Sequence, residues 1–190
     1  GKTLALAAEM ENTGQIYAYD RDAVQLRPIF ERLKRAGVRN VQVLTAGDDA
    51  GLDALAGRFD VVFVDAPCTG SGTWRRRPDS KWRLKPEALE TRIQEQRSVL
   101  ERASGMVKPG GRLVYVTCSV FVEENEDQMD WFVQEHPSFE RLKIGPIWAD
   151  TIPGVSIEAA GIDPDGTSVL LTPHRHGTDG FFVSVVQRQS

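Results

Sequence analysis

Cys68 and Cys118 are the only cysteines in this 190-residue chain, and each closes an apolar run. Val61-Val62-Phe63-Val64-Asp65-Ala66-Pro67 leads into Cys68, and Leu113-Val114-Tyr115-Val116-Thr117 leads into Cys118. Runs of this kind read as buried strands of a parallel sheet. Open α/β sheets bind their ligands outside the carboxyl ends of the strands. Two thiols at two such ends can attend one substrate, one as the nucleophile of covalent catalysis and the other as a helper. The plain alternative is a pair of small buried thiols at ordinary strand ends. A disulfide between them is a lesser alternative, because scarce cysteine suits a reducing compartment. The expected location is therefore cytoplasmic.

Three acids stand at similar places. Asp65 ends the run before Cys68, with the rigid Pro67 between them. Asp20 follows the short strand Gln15 to Tyr19, where an acid commonly bonds the two hydroxyls of a nucleoside ribose. Asp48 follows the strand Val41 to Thr45 and could meet an adenine amino group; Ala46-Gly47-Asp48-Asp49 also reads as a plain turn. His174 and His176 have a spacing open to a metal, but no cysteine or acid completes the set, so the expectation is no metal.

Charge is uneven. The net charge of −4 gives no global signal for a polyanion. Arg75, Arg76, Arg77, Lys81, Arg83 and Lys85 nevertheless crowd one stretch with Asp79 as its sole acid, and Trp74 and Trp82 lie among them. Such a loop can hold phosphates locally while an aromatic ring stacks on a base; a solvated surface loop is the other reading. Glu123, Glu124, Glu126, Asp127 and Asp130 read as an acidic face.

The elements that must position these groups alternate. A helix at Leu4 to Met10 precedes the first strand. Leu26, Ile29, Phe30 and Leu33 recur at helical spacing, with Pro28 disturbing the first turn or starting the regular helix. After the strand Asp60 to Val64 comes a long polar loop through Pro86. Leu89, Ile93, Gln96, Leu100, Ala103 and Val107 then mark one face of a long helix, which Lys108-Pro109-Gly110-Gly111 stops before the strand Arg112 to Thr117. Glu123 to Glu135 reads as a helix. Loops dominate Gly145 to Gly180, and Val169 to Leu171 pairs antiparallel with Phe181 to Val186. The alternation predicts a doubly wound, Rossmann-like α/β domain. No run of about 18 apolar residues is present, and the first residues lack a basic, apolar, small-residue order.

Gly1-Lys2-Thr3, Asp65-Ala66-Pro67-Cys68-Thr69-Gly70-Ser71-Gly72, Thr117-Cys118-Ser119 and Asp179-Gly180-Phe181-Phe182 together resemble the Sun/Fmu (RsmB-like) family of RNA 5-methylcytosine methyltransferases. Trp74, Arg75 and Pro78 suit the loop after the second motif. The resemblance implies a class I S-adenosylmethionine-dependent methyltransferase fold, mostly parallel with a C-terminal antiparallel hairpin. It implies that residues 1–190 are part of a catalytic domain whose first central strand lies upstream of Gly1. A sheet without that strand must close up, borrow one or be unstable. It further implies S-adenosylmethionine as cofactor, RNA as partner (ribosomal RNA foremost), no membrane and a monomer.

For the residues, the resemblance implies attack on cytosine carbon 6 by Cys118, support of ring nitrogen 3 by Asp65, and product release through Cys68, as base or as positioner of one. Asp65 also belongs to the cofactor site, with Lys2 near the methionine end, Asp20 on the ribose and Asp48 towards the adenine. Arg75, Arg76, Arg77, Lys81 and Arg83 are the RNA-binding set. Two other readings stand beside this one. DNA cytosine methyltransferases attack with the cysteine of a Pro-Cys pair, which Pro67-Cys68 imitates. The chain as given could also be a non-catalytic fragment that binds RNA weakly.

Overall fold

The structure, a computed structural model, describes residues 1–152, 161–163 and 165–190. Contacts divide it into two compact units, Gly1–Leu55 and Ala56–Ser190.

In the first unit, helix α1 (Lys2–Glu9) precedes β1 (Ile16–Ala18), and the short helices α2 (Ala23–Leu26) and α3 (Ile29–Arg35) lead to β2 (Val41–Val43) and α4 (Asp49–Asp53). β1 and β2 pair in parallel, with Ile16 opposite Val41 and Ala18 opposite Val43. Asp22 caps α2 by accepting the Val24 N–H at 2.8 Å. Pro28 separates the two helices and opens the second, where its fixed φ fits and its missing N–H costs nothing. That break corrects the single helical face read from the sequence. Leu26 and Leu33 are buried, whereas Phe30 is 59% exposed.

The second unit carries β3 (Phe59–Asp65), α5 (Pro78–Arg83), α6 (Pro86–Met106), β4 (Val107–Thr117), α7 (Glu126–Glu135), β5 (Phe139–Arg141), α8 (Ile144–Thr151), β6 (Ser168–Leu171), α9 (Pro173–His176) and β7 (Phe181–Arg188). Single 3₁₀ turns form at Ser71–Thr73 and Val122–Glu124. The strands run β3-β4-β7-β5, and β6 also pairs β7. β3 and β4 are parallel, while β4, β5 and β6 are all antiparallel to β7. The expected C-terminal hairpin is thus β6–β7. Between Val107 and Arg112 the turn read at Lys108 to Gly111 survives as a break in the ladder: Phe59 pairs Val107, but Val61 pairs Arg112.

One core joins the faces of these elements. Leu100 of α6, Leu113 and Tyr115 of β4, Met129 and Phe132 of α7, and Phe182 of β7 are all at most 1% exposed. Gln96, on the same face of α6, is fully buried as well.

Several element assignments differ from the sequence reading. Helix α5 lies inside the stretch read as a long polar loop, and Val107 begins β4 rather than ending the face of α6. Ile144–Thr151 is helical although it begins the stretch read as loops; Pro146 falls in the first helical turn, where no intrahelical N–H bond is required. The part of that stretch at 153–160 lies outside the described residues. The α7 segment begins at Glu126 rather than Glu123, after the 3₁₀ turn.

Phe132 packs edge-on against Phe139 at 5.2 Å between ring centroids. Phe132→Ala should destabilise the second unit by about 3–5 kcal/mol, read as a lower urea midpoint at unchanged slope.

Candidate active site

The parallel ladder of β3 and β4 sets the site. Asp65, the last residue of β3, lies opposite Val116, and the Ala66 N–H donates to the Val116 carbonyl at 2.9 Å. The two chains therefore leave the sheet side by side. Cys118 comes one residue after β4 and Cys68 three after β3. Their sulfurs are 3.3 Å apart, both residues are half-buried and both are free thiols. The two thiols expected at neighbouring strand ends thus lie side by side.

The contact shifts the Cys68 thiol. The hydrogen bond with Cys118 and, after it, burial push the Cys68 thiol well above its ordinary value of 9.0. Either sulfur can donate across the 3.3 Å contact.

A dense set of bonds keeps the two loops together. Gly70 adopts a left-handed φ of +71°, which turns the chain back beneath Cys118. The Gly72 N–H donates to the Cys118 carbonyl at 2.9 Å, and the Gly180 N–H donates to the Gly72 carbonyl at 2.8 Å. A Cβ on Gly72 would stand 2.4 Å from the Gly180 carbonyl oxygen, and one on Gly180 would stand 2.7 Å from Gly72 Cα. Both positions exclude any side chain. The hydroxyls of Ser71 and Ser119 bond at 2.9 Å, and Ser71 Oγ also accepts the Val120 N–H at 2.9 Å. Thr117 Oγ1 donates to Asn125 Oδ1 at 2.6 Å, and Asn125 Nδ2 donates to the Ser119 carbonyl at 3.0 Å. The residues flanking Cys118 therefore serve as struts.

Glu124 does not stand on the acidic face expected from the sequence: it is fully buried. Its Oε1 accepts the Thr69 N–H at 2.8 Å and its Oε2 accepts the Thr69 hydroxyl at 2.5 Å. Gln96 Nε2 donates to the same Oε1 at 3.1 Å and to the Pro67 carbonyl at 2.9 Å. Sequence reasoning missed Glu124 because its neighbours are acidic. The buried Gln96 on an otherwise apolar helix face was the available signal, since a buried amide requires polar partners.

The basic stretch is partly self-satisfied. Arg76 Nε donates to Asp179 at 2.7 Å, which holds the Asp179 carboxyl below the usual range. Arg83 pairs with Asp79 one helical turn away. Lys81 Nζ lies 5.5 Å from the Trp74 ring centre and 5.6 Å from that of Trp82. Trp82 is 82% exposed, and Arg75 and Arg77 are exposed.

Lys2, Asp20 and Asp48 belong to the first unit. Lys2 is the first residue of α1 and is exposed. Asp20 Oδ1 accepts the Asp22 N–H at 2.8 Å, and Asp48 Oδ1 accepts the Gly51 N–H at 2.8 Å as the cap of α4. Both acids follow the carboxyl ends of the parallel pair β1–β2, and both also hold turns. Among the described residues, no three His, Cys, Asp or Glu side chains gather to hold a metal ion, and no helix is long and apolar enough to cross a membrane. His176 Nδ1 accepts the Thr172 N–H at 2.8 Å within the α9 turn.

Comparison with known proteins gives the following. The sequence model of the family described as "16S rRNA methyltransferase RsmB/F" matches residues 1–187. The Bacillus subtilis (strain 168) protein named "Probable ribosomal RNA small subunit methyltransferase B" is 34% identical over 196 residues, covering 100% of this chain and 41% of its own length. The chain thus spans about two fifths of that relative. A crystal structure of PH0851 superposes with a TM-score of 0.84 at 37% identity, over 99% of this chain and 40% of that one. NSun6 from Pyrococcus horikoshii, solved with SFG, gives 0.74 at 28% identity, over 100% of this chain and 45% of its own.

Gly180→Ala should cost about 1–3 kcal/mol, seen as a lower Tm. Cys68 should react with iodoacetamide at pH 8 more slowly than an unperturbed thiol, as peptide mass mapping would show. Its folded pKa lies above the unfolded one, so the Cys68 contribution to stability is present below pH 9.0 and fades as pH rises beyond it. Chemical unfolding measured from pH 7 to pH 10 should show that decline, reduced in Cys68→Ala.

Proposed function

Because this chain belongs to the 16S rRNA methyltransferase RsmB/F family, we propose that it is the catalytic part of an enzyme that methylates carbon 5 of a cytosine in RNA through a covalent adduct. The observation that carries this reading is the 3.3 Å contact between the sulfurs of Cys68 and Cys118.

Carbon 5 of cytosine is a weak nucleophile. Cys118 Sγ, freed of its proton, bonds carbon 6, and the electrons of the 5,6 double bond pass into the ring as an enamine. Asp65, at the end of β3, supports ring nitrogen 3 in that adduct. S-adenosylmethionine, when bound, supplies the methyl group. Water takes the carbon-5 proton, the C5–H electrons restore the 5,6 double bond, and the Sγ–carbon 6 bond breaks to release Cys118 as thiolate. The Cys68 S–H stabilises the departing Cys118 thiolate by hydrogen bonding, a role that its high pKa suits better than that of a base.

The residues present fit the cofactor by the chemistry of their donors. Asp20 and Asp48 offer carboxylate acceptors beyond β1 and β2, suited to ribose hydroxyls and an adenine amino group. Lys2 offers a cation for the methionine carboxylate. RNA binds at the basic stretch. Arg75 and Arg77 meet phosphates, Arg76, Lys81 and Arg83 add positive potential, and the exposed Trp82 stacks on an unpaired base. Ribosomal RNA is the proposed substrate, in keeping with the name of the Bacillus subtilis relative. Attack by Cys68 in the manner of DNA cytosine methyltransferases is disfavoured, because the contact with Cys118 and burial push its thiol above the ordinary range.

The test uses the full-length protein, labelled cofactor and small-subunit ribosomal RNA. Cys118→Ala should lower methyl transfer by roughly four orders of magnitude. Cys68→Ala should accumulate an RNA–protein adduct that survives denaturing electrophoresis and maps to Cys118. Normal transfer by Cys118→Ala, or an adduct on Cys68 in the wild type, would end the proposal. Arg75→Ala should weaken RNA binding and reduce the salt dependence by about one counterion.

A further inference from the structure

The residues on either side of Cys68 are both tied to one buried pair. Gln96 Nε2 holds the Pro67 carbonyl, and Glu124 holds both the N–H and the hydroxyl of Thr69. Gln96 also donates to Glu124, so the two clamps share an atom. Glu124 is itself fixed from below, since the buried Tyr115 hydroxyl donates to its carbonyl at 2.8 Å. Gln96, Tyr115 and Glu124 are each 0% exposed.

We propose that Glu124, with Gln96, is the positioning residue that holds Cys68 Sγ against Cys118 Sγ. This rests on the reading of the two thiols as nucleophile and release partner. A fully buried acid is costly unless its oxygens are satisfied, and every donor onto this one comes from the Cys68 loop or from the side chain that grips that loop. A carboxylate can accept at both oxygens, and here one takes the N–H and the other the O–H of Thr69. The 3.3 Å sulfur contact needs such a fixture. Cys68 has no regular secondary structure of its own, and thiol hydrogen bonds are too weak to order a loop. Without the clamp Cys68 would drift from Cys118, and its thiol would lose the hydrogen bond that keeps it protonated.

The test compares Glu124→Ala, Glu124→Gln and Thr69→Val with wild type in the full-length protein, by iodoacetamide labelling of Cys68 and by turnover on small-subunit ribosomal RNA. In Glu124→Ala, labelling of Cys68 at pH 8 should rise about tenfold as its pKa returns towards the ordinary thiol range. Turnover should fall about 100-fold with KM little changed, and the Cys118 adduct should accumulate. Glu124→Gln, which keeps one acceptor in place, should recover most of both. Thr69→Val removes one bond from the loop side and should move both readouts in the same direction, which covers a Glu124→Ala protein that fails to fold. Wild-type labelling of Cys68 in folded Glu124→Ala, or in Thr69→Val should the former not fold, overturns the inference. If labelling changes as expected but the wild type forms no adduct with RNA, the clamp stands and the cytosine reading falls.

Discussion

Asp65 stands opposite Val116 in the parallel register of β3 and β4, and Ala66 carries the ladder one step past the strand. Everything chemical in the second unit depends on that alignment. A slip of one residue would turn every side chain of one strand to the other face and carry one sulfur away from its partner. The ladder brings the two chains out together, but it does not finish the task, because both loops are irregular beyond it. The Gly72–Cys118 and Gly180–Gly72 backbone bonds, the Ser71–Ser119 pair and the Glu124 clamp complete the constraint. The site is thus a set of loops made rigid by buried polar bonds on a regular sheet. Partly satisfied buried networks are costly, and here Gln96 Oε1 is buried without a hydrogen-bond partner among the described residues.

The thiol pair was legible in the sequence for a clear reason. Each strand is written as an apolar run, so its end is visible, and a chemical residue at that end marks itself; β3 is nevertheless not buried on both faces as its run suggested, since Val61 is 53% and Phe63 36% exposed. The hairpin β6–β7 was legible from the same kind of signal. Glu124 was not, because charge clustering records composition and is blind to direction. Glu123 and Glu124 are adjacent, yet the 3₁₀ turn sends Glu123 outwards and Glu124 into the core. The helix Ile144–Thr151 was hidden by Gly145 and Pro146, which signal a loop unless they fall in a first turn. Phe30 was misjudged because one periodicity was drawn across a proline break.

The motif Asp179-Gly180-Phe181-Phe182 acquires a physical meaning residue by residue. Asp179 holds Arg76, Gly180 admits the backbone of Gly72, and Phe182 packs edge-on against Tyr115 in the core at 6.3 Å between centroids. Three neighbouring positions thus serve three different distances from the thiols: the basic surface, the loop and the interior. Arg76 is correspondingly better described as a tether of the basic stretch than as a free contact for phosphate.

The contact between Gly72 and Gly180 has a mechanical consequence. Gly180 leads directly into β7, the strand that pairs with three others, so the loop beneath Cys118 is bolted to the stiffest part of its unit. Force applied to the last strand would be transmitted to the thiols with little slack. In the course of descent, neither glycine is free to change alone: a side chain gained at one demands that the whole joint be rebuilt at the other.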